Sequence, residues 1–153
     1  MLARYADGLM SALPTSSVAA LTGLTLRQLR YLAQQNVVTP AVRSGAGRGA
    51  EAMYAPGDLL ALLVVERVRA VCGQEVRIER LRSLVAELDR RTPGPGQHLV
   101  MDGEGFWVQD GPPDATLRRA GAAFIIDLDA LSEELTVRLR RAGLSSEASR
   151  LAA

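Results

Sequence analysis

The chain has 153 residues, of which 48% are apolar and 23% are charged, a balance typical of a soluble globular protein. It contains a single cysteine, Cys72, and a single histidine, His98, which excludes an internal disulfide and leaves no Cys/His set for a zinc site. The N-terminus lacks a signal-peptide pattern, and no apolar run reaches the roughly 18 residues of a membrane span. We therefore expect a cytoplasmic protein with no membrane partner.

The net charge of +1 is unevenly distributed along the chain. Residues 1–91 carry 12 arginines against 8 acidic residues, whereas residues 92–153 carry 6 arginines against 9 acidic residues. Between Thr15 and Ala50 there are four arginines and no acidic residue. Such a basic segment suits a polyanion, although on charge alone an ordinary solvated face explains it equally well.

Two short helices joined by a glycine turn are predicted near the N-terminus. "PTSS" (14–17) supplies N-cap side chains for a helix that reaches about Leu21, and Thr22-Gly23 signals a turn. Thr25 caps a second helix that runs to about Gln35, with Asn36 at a left-handed C-cap position. This arrangement predicts a helix-turn-helix.

A hairpin and two longer helices are predicted next. "VVTPAVR" (37–43) and "EAMYA" (51–55) are typical of short strands around the glycine-rich tip "SGAGRGA". Pro56 and Asp58 fit the first turn of a helix that ends at Gly73, and we expect Cys72 to be a buried thiol on its apolar stripe. A further helix is predicted from about Arg77 to Arg91.

"TPGPG" (92–96) marks the clearest boundary of the chain. Beyond it, residues 97–143 predict a small ββαβα unit: a hairpin "LVM-DGEG-FWVQ", a short helix over 112–121, a buried strand "AAFIIDL", and a helix from Asp129, which we expect to act as its cap. The strand and the leucine stripe of the last helix either pair two copies of the chain or fill the core of one copy. Residues 144–153 resemble a flexible tail.

The helix-turn-helix provides the candidate functional surface. Leu26, Leu29 and Leu32 are expected in the core, so the outward side chains of the second helix face any partner. A helix of this kind enters the major groove of DNA by its N-terminal part, and the hairpin then forms a wing against the sugar–phosphate backbone. The predicted DNA-contacting residues are Thr25, Arg27, Gln28, Arg30 and Tyr31 on the helix, and Arg43, Arg48 and Tyr54 on the wing.

Residues 14–91 resemble the winged helix-turn-helix domain of MerR-family transcription regulators. The resemblance lies in Val18-Ala19, Thr22-Gly23, "RQLRY" (27–31), "NVVTP" (36–40), the arginine-bearing wing, and Tyr54 followed by Asp58-Leu59. The glycine-rich wing resembles that of heat-shock-repressor-like members. The chain departs from the family at Leu32-Ala33, where Tyr-Glu is common, and it lacks the long dimerisation helix after the domain.

The sequence therefore predicts an α+β protein with an N-terminal DNA-binding domain (14–91) and a small domain (97–143) for dimerisation or for a partner or effector. The resemblance implies a dimeric regulator that binds double-stranded DNA at a pseudo-palindromic promoter site. The alternative is an antitoxin-like or adaptor protein whose second half binds another protein. An enzyme is not expected, since no cluster of catalytic residues is present, and neither a metal nor another cofactor is implied.

Overall fold

The computed structural model describes residues 12–40, 42–44, 51–90, 94–103, 105–112 and 123–144. Within these ranges the chain forms five helices and two three-stranded antiparallel sheets. The predicted α+β class is confirmed. None of the described helices combines the length and the apolar character that a membrane crossing requires.

The first sheet supports two short helices. Strand β1 (Leu13–Pro14) leads directly into α1 (Thr15–Thr22), which is followed by α2 (Leu26–Gln34), β2 (Val42–Ser44) and β3 (Glu51–Tyr54). The strand order is β1-β3-β2. The sequence did not predict β1, because two residues are too few to show an alternating pattern.

Two local predictions in this region are wrong. The cap of α1 is Pro14, with no side-chain bond to the helix, because the Thr15 hydroxyl instead donates to the Ala52 carbonyl of β3 at 3.0 Å. The strand predicted from Val37 begins at Val42. Val37 and Val38 are buried in a bend that follows α2, so their apolar character reflects core packing.

Two longer helices, α3 (Pro56–Cys72) and α4 (Ile78–Arg90), follow the first sheet. Pro56 occupies the first turn of α3 as predicted, and the Asp58 carboxylate accepts the Ala55 N–H at 2.9 Å. The prediction for Cys72 is wrong: the thiol is exposed, beside Val71 with 59% of its surface accessible. The apolar stripe leaves the core in the last turn of α3, before Gly73 ends the helix.

The second sheet is formed by β4 (Gln97–Met101), β5 (Phe106–Asp110) and β6 (Phe124–Asp127), in the order β5-β4-β6. Helix α5 (Leu128–Arg141) follows β6 without a loop. The helix predicted over 112–121 lies almost entirely outside the described residues.

The cap predicted at the start of α5 belongs to another residue. The Asp127 carboxylate accepts the N–H groups of Asp129 and Ala130, both at 3.0 Å, whereas the Asp129 carboxylate accepts the Gly96 N–H at 2.7 Å. Asp129 is therefore the second residue of α5, and its carboxylate joins this helix to the residue before β4.

One apolar core extends through both halves of the chain, from α1–α4 to the second sheet and α5. The leucine stripe of α5, Leu131, Leu135 and Leu139, is buried within this core. The stripe was expected either to pair two copies of the chain or to fill the core of one copy. The structure shows that it fills the core of one copy.

Polar contacts join the same two halves at the surface of the core. On α5, Glu134 accepts from Arg67 of α3 at 2.6 Å and also pairs with Arg138. Arg138 in turn donates to the Leu21 carbonyl at the end of α1, at 2.7 Å. These contacts join the C-terminal helix to α1 and α3.

Candidate nucleic-acid interface

The turn between α1 and α2 is built from backbone hydrogen bonds that glycine permits. Gly23 adopts φ +80°, a left-handed conformation, and its N–H reaches the Ala19 carbonyl at 3.0 Å. The Thr22 hydroxyl is buried and donates to the Val18 carbonyl at 2.8 Å. Since only three residues separate the helices, this turn fixes the direction in which α2 leaves α1.

Helix α2 begins with the capping arrangement that Thr25 predicted. The Thr25 hydroxyl accepts the Gln28 N–H at 3.1 Å, and the Gln28 side-chain oxygen accepts the Thr25 N–H at 2.8 Å. The side-chain oxygen of Gln28 is therefore already used in the hydrogen bond to the Thr25 N–H, which holds the helix start. A bidentate contact from Gln28 to adenine would require that this bond be broken.

The outward face of α2 carries three of the predicted contact residues. Leu29 and Leu32 are fully buried against the core, which turns Arg27, Arg30 and Tyr31 towards solvent. Tyr31 has 44% of its surface exposed. Helix α2 contains no acidic residue, so its outward face combines two arginines and an aromatic hydroxyl without an opposing charge.

Leu26 does not occupy the core position that was expected. It is the first residue of α2, and 44% of its surface is exposed. At about 3.6 residues per turn, Leu26 lies about 60° from Leu29 and about 120° from Leu32 around the helix, at the edge of the buried stripe. The outward face of α2 thus includes an aliphatic side chain beside its arginines.

The predicted wing is described in part. Strands β2 and β3 pair antiparallel, with Arg43 opposite Ala52, and this pairing supports the hairpin. The side chain of Arg43 and the whole of Arg48 lie outside the described residues, as does the glycine-rich tip over 45–50.

Tyr54 lies in the core, with 1% of its surface exposed. It stands opposite Leu13 of β1, and burial raises the pKa of its hydroxyl above the usual value. A side chain in this position cannot reach a phosphate on the outside of the wing. Tyr54 is therefore a packing residue, and its burial contradicts the predicted phosphate contact.

The C-terminal end of α2 is held by α4. Arg82 donates from Nε to the Gln35 main-chain oxygen and from Nη2 to its side-chain oxygen, the latter at 3.3 Å. Asn36, the next residue, has φ 54°, as predicted for a left-handed cap. No local pattern distinguishes Arg82 from the other charged residues of α4, so this contact was not predicted.

A polar cavity of about 350 Å³ lies behind this end of α2, lined among others by Asn36, Asp58, Arg82 and Asp89. Burial raises the pKa of Asp58, with a further contribution from the charge of Asp89. A second cavity of about 530 Å³ opens between α3, α4 and the second sheet, beside Cys72. Within the described ranges, no group of three His, Cys, Asp or Glu side chains is arranged to hold a metal ion.

Comparison with known proteins supports a helix-turn-helix regulator. The chain is 40% identical over 94 residues to proteins of Mycobacterium bovis and of two Mycobacterium tuberculosis strains, each named an uncharacterized HTH-type transcriptional regulator. The match covers 61% of this chain, and the chain spans about 40% of the length of these relatives. No protein-family model matches the chain.

Proposed function

We propose that this chain is a sequence-specific, DNA-binding transcription regulator of the MerR type that acts as a dimer in the cytoplasm. The observation that carries the proposal is the outward face of α2. Arg27, Arg30 and Tyr31 are exposed on a helix that a three-residue turn, a capping box and Arg82 hold in place. The names of the mycobacterial relatives point in the same direction.

Each exposed residue has a role that its chemistry suits. Arg27, in the first turn of α2, enters the major groove, where a guanidinium binds the O6 and N7 acceptors of guanine. Arg30 and Tyr31, one turn later, bind phosphates by charge and by a hydroxyl hydrogen bond. Thr25 and Gln28 act chiefly by fixing the helix start, and the main-chain N–H groups there favour an anionic neighbour.

The β2–β3 hairpin acts as the wing in this proposal. Arg43 is placed on β2, and the glycine-rich segment that follows contains Arg48. Arginines along such a hairpin add sequence-independent attraction to the phosphate backbone and extend the contact beyond α2. The MerR-type arrangement rests on this order of helices and wing and on the resemblance of residues 14–91.

The dimer is a proposal of its own, because a single winged unit contacts only a short DNA site. The leucine stripe of α5 is already buried, so it is not free to form the contact. Among the described strands, β6 pairs on one edge only, with β4. We place the two-fold contact at its outer edge, where a second β6 adds antiparallel hydrogen bonds.

Selection of duplexes from a random-sequence library by the purified chain tests the proposal. We expect enrichment of a site with two inverted half-sites, bound by a species of twice the 16.4 kDa chain mass. Enrichment of a single half-site by a monomer would contradict the dimer. Failure to enrich any sequence would contradict sequence-specific DNA binding.

A further inference from the structure

The exposed position of Leu26 is not explained by the fold. The capping box between Thr25 and Gln28 already fixes the start of α2, and the core beneath the helix is filled by Leu29 and Leu32. Leu26 contributes little to either, since 44% of its surface faces solvent. An acidic side chain in the first turn would interact more favourably with the N–H groups of the helix start than leucine does.

The surroundings of Leu26 indicate what it faces. Four large apolar side chains are this exposed among the described residues, and two of them, Leu26 and Tyr31, belong to the nine-residue helix α2. Arg30 lies one turn from Leu26 on the same side of the helix, and Arg27 is its direct neighbour. An apolar protein surface would have to leave these two guanidinium groups without partners, whereas DNA pairs with them.

We propose that Leu26 contacts the C5-methyl group of a thymine in the major groove, which makes it a specificity-determining residue. This inference rests on the proposed function. N-terminal residues of such a helix approach base edges, and the thymine methyl is the apolar group that unmodified DNA displays there. Arg27 and Leu26 then read adjacent features, one a pair of acceptors and the other a methyl group.

Replacement of single thymines by deoxyuridine tests this contact, because it removes the methyl group and leaves base pairing intact. The probe is the best-bound duplex from the library selection, with each thymine replaced in turn. We expect one replacement per half-site to weaken binding of the wild-type chain about four-fold, the effect of burying one methyl group. Leu26→Ala should lose sensitivity to that replacement and keep its sensitivity, if any, to the others.

Val137→Ala is the matched control, since Val137 on α5 is also aliphatic and 44% exposed. It should respond to every deoxyuridine as the wild type does.

Binding that no deoxyuridine weakens, or an equal loss in Leu26→Ala at the same position, would overturn the inference and leave DNA binding intact. Unchanged DNA binding by Leu26→Ala together with a lower oligomer mass would also overturn it, because Leu26 would then face a second copy. No binding to any duplex would overturn the proposed function first.

Discussion

The guanidinium of Arg82 on α4 donates to the main-chain oxygen of Gln35, the residue that ends α2. With the Thr25–Gln28 box at the other end, α2 is held at both termini by side chains. Arg27, Arg30 and Tyr31 therefore project from a helix whose position does not depend on them.

Removal of the Arg82 contact should destabilise the fold and displace α2. For Arg82→Met we expect a loss of about 1.5 kcal/mol in the free energy of unfolding, because a hydrogen bond from a charged donor is lost while the apolar stem is kept. Urea unfolding measures the loss. Arg77→Met, in an exposed residue just before α4, is the control and should unfold like the wild type. Equal midpoints for the two variants would contradict the role given to Arg82.

The capping box gives a second stability prediction. Thr25→Ala removes the hydroxyl that accepts the Gln28 N–H, and the loss of an N-cap costs about 1 kcal/mol. Thermal unfolding should show a lower midpoint than for Thr39→Ala, which changes an exposed threonine outside any helix. Equal unfolding midpoints for the two threonine variants would show that the Thr25–Gln28 capping box does not stabilise α2.

The thiol of Cys72 should be reactive in the folded protein. Since Cys72 is exposed at the end of α3, we expect the thiol to react with a small aromatic disulfide reagent without denaturant, at one equivalent per chain. Cys72→Ser is the control, and it should release no aromatic thiol from the reagent. A thiol that reacts only after unfolding would show that the sequence-based expectation of burial was correct.

The half-buried carboxyl of Asp58 should make stability depend on pH. Because burial raises its pKa above the ordinary 3.8, the native chain binds more protons than the unfolded chain over an interval that starts near this value and extends upward. The contribution of Asp58 to stability therefore falls as pH rises through that interval. Asp58→Asn, whose amide oxygen can still accept the Ala55 N–H, should gain stability relative to the wild type between pH 3 and pH 7.

Urea unfolding at several pH values follows this difference, with Glu133→Gln on the exposed side of α5 as the control. A difference between Asp58→Asn and the wild type that shrinks with rising pH would mean that the Asp58 carboxylate is stabilised in the native state.

Local signals were sufficient to predict most elements of the fold. Gly23, Thr25, Asn36 and Pro56 each have a backbone or capping preference that depends on near neighbours, and each lies where that preference predicts. Alternation and helical spacing likewise located the second sheet and α5.

The predictions that were wrong concern long-range packing, which the spacing of residues along the sequence does not reveal. Tyr54 is buried because it lies in the apolar core, on the central strand of the first sheet. Cys72 is exposed because the core ends before α3 does. The pairing of Arg138 with Leu21 crosses 117 residues, and no local pattern announces it. For the candidate site, the sequence predicted the exposed arginines of α2 but neither the exposure of Leu26 nor the support from Arg82.

The most direct test of the central claim compares DNA binding by the wild type and by Arg30→Ala/Tyr31→Ala across a salt series. Arg140→Ala/Arg141→Ala, which removes two exposed arginines from α5, is the control for charge. If α2 binds DNA, the first variant binds more weakly. The slope of log affinity against log salt then falls by about 1, because Arg30 is charged and Tyr31 is not, so one cationic phosphate contact is lost. The control should keep the wild-type affinity and slope. Equal affinities and slopes for the wild type and the α2 variant would contradict the assignment of α2 as the DNA-binding helix.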